Sequence, residues 1–391
     1  MSSGRSSTAL SLLELTRDLV RLPSCNEVHS PEPVLEAIGS FLSRAQIHYE
    51  IVRGPDGEPL AGRATIDGGR PGDAYLLNAP ADTAAVGDLD AWHHAPFAAE
   101  EEDGWLYGRG TADSKGGIAV FCHVAREIRR RADSLRGSLI LIFDADEHSG
   151  AFSGIRQAVE ELRTKSIAGA FIGYPGHDRV IIGCRGFFRA GVRVHGVSAH
   201  SGSAKRRGVN AINRAGHLVA ALEQLGNRAP VSANFPLPPA ISVTAIQGGE
   251  GYSTVPDRCD VDVDCRLTPE FDAEWAERQL LIALSQLDEG SSAPATEMRV
   301  LPGWPAYQLS PGSPILAALG NAARSVLRRD LPMEVAGPSS VGNYLATRGI
   351  DATSGFGCRY RNLHAADECI ETASLEPTFE VYLQAISELL S

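Results

Sequence analysis

Apolar positions along this chain recur with two different periods, and the change of period separates two kinds of architecture. Leu12, Leu15, Leu19 and Leu22 fall at helical spacing from Ala9 to Arg21, and Pro23 ends the run. A second helix is expected behind Ser30 as N-cap and Pro31 as its first residue, with Val34, Leu35, Ile38 and Leu42 on one face. Strand-like runs follow at 49–52, 64–66 and 74–77. After Asp113 a helix carries Val120, Val124 and Ile128 towards Arg131. The most apolar run, Leu139-Ile140-Leu141-Ile142-Phe143, reads as a strand buried on both faces. A helix from about Phe152 to Leu162 and a buried strand at 170–172 continue the alternation. Buried strands alternating with helices predict an α/β layer around a largely parallel sheet.

Beyond Gly183 the pattern changes. Residues 188–196 alternate as a half-exposed strand, a helix spans roughly Val209 to Leu225, and strands are expected at 240–246 and 257–267. A helix from Glu270 to Leu287 and a strand near 296–300 complete two helices on an antiparallel sheet. Helices beginning near Ser313 and spanning Thr372 to Leu390 return to the first pattern.

Composition narrows the partners. At 391 residues two domains are the natural expectation, and 43% apolar with 21% charged residues suits a globular protein. A net charge of −12 with no basic run argues against nucleic acid. The N-terminal Met-Ser-Ser-Gly-Arg-Ser-Ser-Thr lacks a signal-peptide core, and no apolar run reaches membrane-spanning length. Seven cysteines without C-x-x-C spacing favour free thiols, hence a cytoplasmic protein.

The chemistry gathers between Leu76 and Gly117. Asp82 lies just beyond a buried strand, and Asp113 follows Gly108-Arg109-Gly110 directly before a helix. Two acids at strand-end loops form a metal-site layout in an open α/β sheet. This stretch resembles the M20 family of zinc-dependent aminoacylases, deacetylases, desuccinylases and carboxypeptidases, whose H-x-D motif precedes G-R-G-x-x-D-x-K-G-G. The second motif is intact here, but the His position of the first is Pro80. The resemblance implies a mainly parallel-sheet, zinc-peptidase-like catalytic domain at 1–183 and 302–391. An inserted α+β lid and dimerisation domain at 184–301, a homodimer and a cis peptide after Asp113 are implied as well.

The resemblance also assigns residues. Asp113 stands where one Asp bridges two zinc ions. The other ligands of the first ion fall on Pro80 and Tyr174, neither a usual zinc ligand, so that site is dismantled. For the second ion His148 stands in place of a Glu, within Asp146-Glu147-His148-Ser149-Gly150, and His364 remains. Asp113, His148 and His364 are thus a candidate site for one zinc ion, the alternative being that His148 is a polar loop residue and no metal binds. Glu147 matches the general base. With Pro80 in place of the His, Asp82 has no imidazole to orient, which leaves it a substrate amine or a backbone nitrogen.

In the lid, Val197-Ser198-Ala199-His200-Ser201-Gly202 matches the segment whose His reaches across the dimer to polarise the scissile carbonyl, so His200 is the oxyanion candidate. Ser253 replaces a carbonyl-contacting Asn; Arg266 matches a carboxylate anchor and Arg185 resembles a second, each otherwise an ordinary surface ion pair. Residues 337–344, including Asn343, occupy a pocket loop near the substrate carboxylate, with Val341 where the family has Asp. His93 and His94 read as loop residues, and neither Cys122 nor Cys358 has a partnering His.

Three functions are compatible with this set. The first is hydrolysis of an N-acyl amino acid or small peptide on at most one metal ion. The second is a non-hydrolytic reaction (amide formation, cyclisation or elimination on an amino-acid-like substrate in a specialised pathway). The third is a catalytically silent binding protein.

Overall fold

The computed structural model describes residues 5–26, 28–162, 165–203, 208–228 and 235–391. The first four residues of the N-terminal stretch considered above therefore lie outside the described residues. Packing divides the chain into two compact units. One comprises Met1–Gly183, Gln308–Glu334 and Ser340–Ser391, the other Cys184–Tyr307 and Val335–Ser339.

The larger unit is built on a six-stranded sheet in the order Tyr49–Arg53, Pro59–Asp67, Arg136–Asp144, Arg70–Asn78, Ile167–Ile172, Ala352–Thr353. Its first two pairings are antiparallel and the other three parallel. Leu139 to Phe143 are all completely buried, as their unbroken apolar run predicted. Each such side chain contributes about 1.5–3 kcal/mol by leaving water, so this strand anchors the unit. The helix Ser7–Val20 begins where Ser6 Oγ accepts from Ala9 N at 3.0 Å and buries Leu12, Leu15 and Leu19. In the next helix, Glu32–Arg44, Pro31 rather than Ser30 takes the cap position, and Ser30 Oγ accepts from Glu32 N at 3.3 Å.

Three neighbouring strands of this sheet, Arg136–Asp144, Arg70–Asn78 and Ile167–Ile172, run parallel, so their C-terminal ends open on the same edge. The loops leaving them carry Asp82, Glu147 with His148, and Tyr174. The helix Gly116–Arg129 starts three residues beyond Asp113, and the Asp113–Ser114 peptide is cis, as the resemblance implied.

The smaller unit is a four-stranded antiparallel sheet in the order Ala240–Gly248, Arg258–Leu267, Gly186–His195, Glu297–Trp304. Along Arg258–Leu267 every second side chain is buried, which is the period-two pattern read from the sequence. Val192, Val194, Val261 and Val263 pack there with Leu218 and Leu222 of helix Ala211–Arg228 and Leu280 of helix Ala273–Asp288. This unit runs past Leu301 to Tyr307, because the strand Glu297–Trp304 stays paired with Gly186–His195 as far as Trp304. All seven cysteines are buried. Among the described residues no helix is long and apolar enough to cross a membrane.

Candidate active site

Asp113, His148 and His364 arrive from three separated segments, yet one ligand atom of each lies within 4.8 Å of the others. His364 Nε2 is 3.0 Å from Asp113 Oδ2, and His148 Nε2 is 3.7 Å from the same oxygen. That second separation is too long for a hydrogen bond, and among the described residues His148 Nε2 is buried without a hydrogen-bond partner. Ser114 Oγ donates to the other Asp113 oxygen at 2.7 Å. Burial alone would raise the Asp113 carboxyl, but the imidazoles of His148 and His364 hold it well below the usual range.

Asp82 does have an imidazole to hold, contrary to the expectation drawn from Pro80. Its Oδ2 lies 3.1 Å from His148 Nδ1 and accepts from His148 N at 2.9 Å, while Oδ1 accepts from Glu147 N at 3.2 Å. Asp82 is 1% exposed, and its oxygens take the backbone nitrogens of Glu147 and His148, one of the two roles expected for it, while also orienting the His148 ring. With Nδ1 fixed by a carboxylate, Nε2 is the atom left to coordinate, the usual second partner of a metal-binding imidazole. Against the desolvation that would lower it, Asp113 and Asp82 raise the His148 ring to about 12.

The donors fit one cation. A buried, unpartnered imidazole nitrogen, a second imidazole and a carboxylate make a mixed nitrogen–oxygen set suited to zinc. Glu147 adjoins it, with Oε2 3.5 Å from His148 Nδ1. Burial raises its carboxyl to about 8, with Asp113 and Asp82 adding to the effect against His148 and Tyr174. The phenol of Tyr174 donates to Glu147 Oε1.

A buried ion pair holds this arrangement from behind. Arg109 Nη1 donates to Glu368 Oε2 at 2.5 Å, and the two side chains are 1% and 0% exposed. Glu368 Oε1 accepts from Ala112 N at 2.9 Å and Asp113 N at 3.2 Å, while Arg109 Nη2 donates to His364 O at 3.1 Å. His364 itself adopts a left-handed φ of 62°, a conformation that ligand-bearing turns keep when their surroundings enforce it. The spacing of Arg109 and Glu368, 259 positions apart, carries no local signal. Tyr174, Arg109 and Glu368 have roles here that the sequence reading missed.

Of the remaining candidates, Asn343 is fully buried and its Oδ1 accepts from Ser340 N at 2.8 Å in a capping box. It secures the start of helix Val341–Thr347 as a capping residue, so the pocket loop expected at 337–344 is partly helical. The pattern Ser340-x-x-Asn343 was the readable clue. His93 Nδ1 pairs with Asp367 Oδ2 at 2.7 Å and His94 with Glu100 at 3.1 Å, so both act as loop residues.

In the smaller unit His200 is exposed on a two-residue ladder, paired with Thr254 beside Ser253, whose carbonyl accepts from Ser201 N at 2.9 Å. Arg266 Nε is 2.8 Å from Asp264 Oδ1, and Arg185 donates to the carbonyls of Gly337 and Pro238 at 3.1 Å each. Burial, then the neighbouring Arg266, pull the Arg185 guanidinium down, so two positive groups sit close together.

Asp82, Glu147 and His148 at the ends of parallel strands, joined by Asp113 and His364 from neighbouring loops, place the protein among the α/β metallohydrolases. The sequence model for peptidase family M20/M25/M40 matches residues 76–388, and the chain belongs to that family. It is 27% identical over 389 residues to a succinyl-diaminopimelate desuccinylase from Marinobacter nauticus, covering 97% of this chain and 98% of the relative. An M20 metallo-carboxypeptidase from Sulfolobus solfataricus shares the fold at a TM-score of 0.79 and 16% identity, over 98% and 99% of the two chains. A dinuclear metal-binding M20 peptidase from Bacillus subtilis does so at 0.69 and 19%, again over 98% and 99%. The protein is an enzyme of this metallohydrolase family.

Proposed function

We propose that this enzyme cleaves the amide of an N-acyl amino acid or small peptide, using one zinc ion held by Asp113, His148 and His364. The observation that carries the reading is the unpartnered, buried His148 Nε2, aimed at Asp113 with Glu147 beside it. A zinc ion held there would supply Lewis acidity to the pocket. Glu147 takes the proton of the attacking water and delivers it to the departing amine nitrogen. Asp82 holds His148 in the tautomer that presents Nε2. His200 polarises the scissile carbonyl as a cross-subunit donor in a homodimer, and Arg266 with Arg185 anchors substrate carboxylate. A cytoplasmic location accompanies this reading, since seven buried thiols suit a reducing compartment. The desuccinylase relatives support an N-acylated, amino-acid-derived substrate.

The test joins metal analysis of protein prepared without chelators to turnover of a panel of N-acetyl and N-succinyl amino acids. About one zinc per chain is expected, the number that one set of three protein ligands can hold. Glu147→Gln is expected to keep the ion and lose roughly 10²-fold or more in turnover. Protein without metal and without hydrolysis would move the site to metal-independent acid–base chemistry.

A further inference from the structure

Tyr174 is fixed more firmly than a loop residue that merely fills space. It follows the strand Ile167–Ile172, and its own amide donates to Ile172 O at 2.9 Å. The segment at Gly357 passes so close that a Cβ there would lie 2.0 Å from Tyr174 O, which only glycine permits. The phenol, placed in this way, donates to Glu147 Oε1. Among the described residues no other side chain donates a hydrogen bond to the Glu147 carboxylate. The other oxygen, Oε2, lies 3.5 Å from His148 Nδ1, a nitrogen whose closer partner is Asp82 at 3.1 Å.

Glu147 is therefore a carboxylate one residue from a candidate ligand, held, among the described residues, by a single donated side-chain hydrogen bond. Carboxylate oxygen is itself a good zinc ligand, and three protein ligands leave a coordination position open. Electrostatic attraction would draw a free glutamate into that position. A glutamate that coordinates has its lone pairs and charge engaged, and it no longer accepts a proton from water. The two roles exclude one another.

We propose that Tyr174 is a positioning residue whose hydrogen bond to Oε1 keeps Glu147 as the base and prevents it from becoming a fourth ligand of the ion held by Asp113, His148 and His364. This rests on the single-ion reading above. The phenol is suited to the task because burial, and then the Glu147 charge, raise it well above the ordinary tyrosine value, so it remains a donor.

The test measures cobalt(II) binding to metal-depleted protein by competition titration and by the visible spectrum of the bound ion. Tyr174→Phe removes the O–H and keeps the ring. It is expected to bind cobalt about tenfold more tightly, with a spectrum altered by the added oxygen ligand. Glu147→Gln in the Tyr174→Phe background returns affinity and spectrum to those of the wild type. On any N-acyl amino acid the wild type hydrolyses, kcat of Tyr174→Phe falls by about 10²-fold while KM changes little.

Tyr174→Gln keeps an N–H donor at this position and is expected to stay near wild-type affinity, with part of the turnover retained. Equal or weaker cobalt binding by Tyr174→Phe, or tightened binding by Tyr174→Gln, overturns the assignment and leaves the single-ion reading standing. Cobalt uptake by neither wild type nor variant overturns both.

Discussion

Two histidines in the larger unit carry opposite charge habits, and their neighbours explain why. His148 lies between Asp82 and Asp113, which favour the protonated ring. His123 is completely buried in helix Gly116–Arg129, against the rings of Phe41 and Phe379. Its Nδ1–H donates to Ala119 O at 2.7 Å and its Nε2 accepts from Ser11 Oγ at 2.9 Å, which satisfies a neutral imidazole. Burial pulls its pKa from 6.5 to about 4. Above pH 6.5 the ring is neutral in both folded and unfolded chains and adds no pH dependence. As pH falls towards 4 the unfolded chain binds a proton that the folded one refuses, so stability declines, by about 3 kcal/mol at most. His123→Gln is expected to flatten this part of the stability curve in urea melts run between pH 6.5 and 4. An unchanged slope would show that the loss arises elsewhere. His148 gives no comparable term once a cation takes the place of its proton.

At the scale of elements, the site depends on two loops tied together by Arg109 and Glu368. Removing one partner leaves the other charge buried and uncompensated, at a cost of about 3–5 kcal/mol. Glu368→Ala should therefore melt well below the wild type. It should also weaken metal binding, because the amides of Ala112 and Asp113 lose their acceptor. The double variant Arg109→Met with Glu368→Met is expected to regain much of the stability and little of the affinity, as read by thermal melting and zinc titration. Recovery of both together would mean that the pair does not position Asp113. This device also shows where sequence reading ends. Asp113, His148 and His364 were legible because each sits in a recognisable local motif, and the helices and strands because apolar spacing is a local property. Glu368 was only an acid shortly after His364, and its partner lies 259 positions away. Tyr174 was legible as a lost ligand, whereas its contact with Glu147 is a product of the tertiary fold. Helix Val341–Thr347 was hidden because seven residues are too few to show a helical period. The imidazole served by Asp82 was missed for a related reason, since the motif drew attention to position 80 rather than to the adjacent strand's loop.

At the scale of the whole molecule, the three candidate ligands close long stretches of chain: Asp113 follows one strand-end loop, His148 another, and His364 belongs to the C-terminal part of the same unit. An unfolded chain cannot bring them together, so binding energy adds to folding energy. With free zinc at about 100 times its dissociation constant, the native state gains roughly 2.7 kcal/mol. For a unit of this size that corresponds to a rise in Tm of about 5 °C or more. Stripping the metal should lower the first thermal transition by that amount, and zinc should restore it in a concentration-dependent way. His364→Ala provides the control, because its side chain is half-exposed and meets the metal-free fold through Asp113 Oδ2 and the ring of His148. In that variant the zinc-dependent rise should nearly vanish while the metal-free melting temperature stays close to that of the wild type. A full rise in His364→Ala would place the ion elsewhere, and no rise in the wild type would remove the metal from the reading of this site.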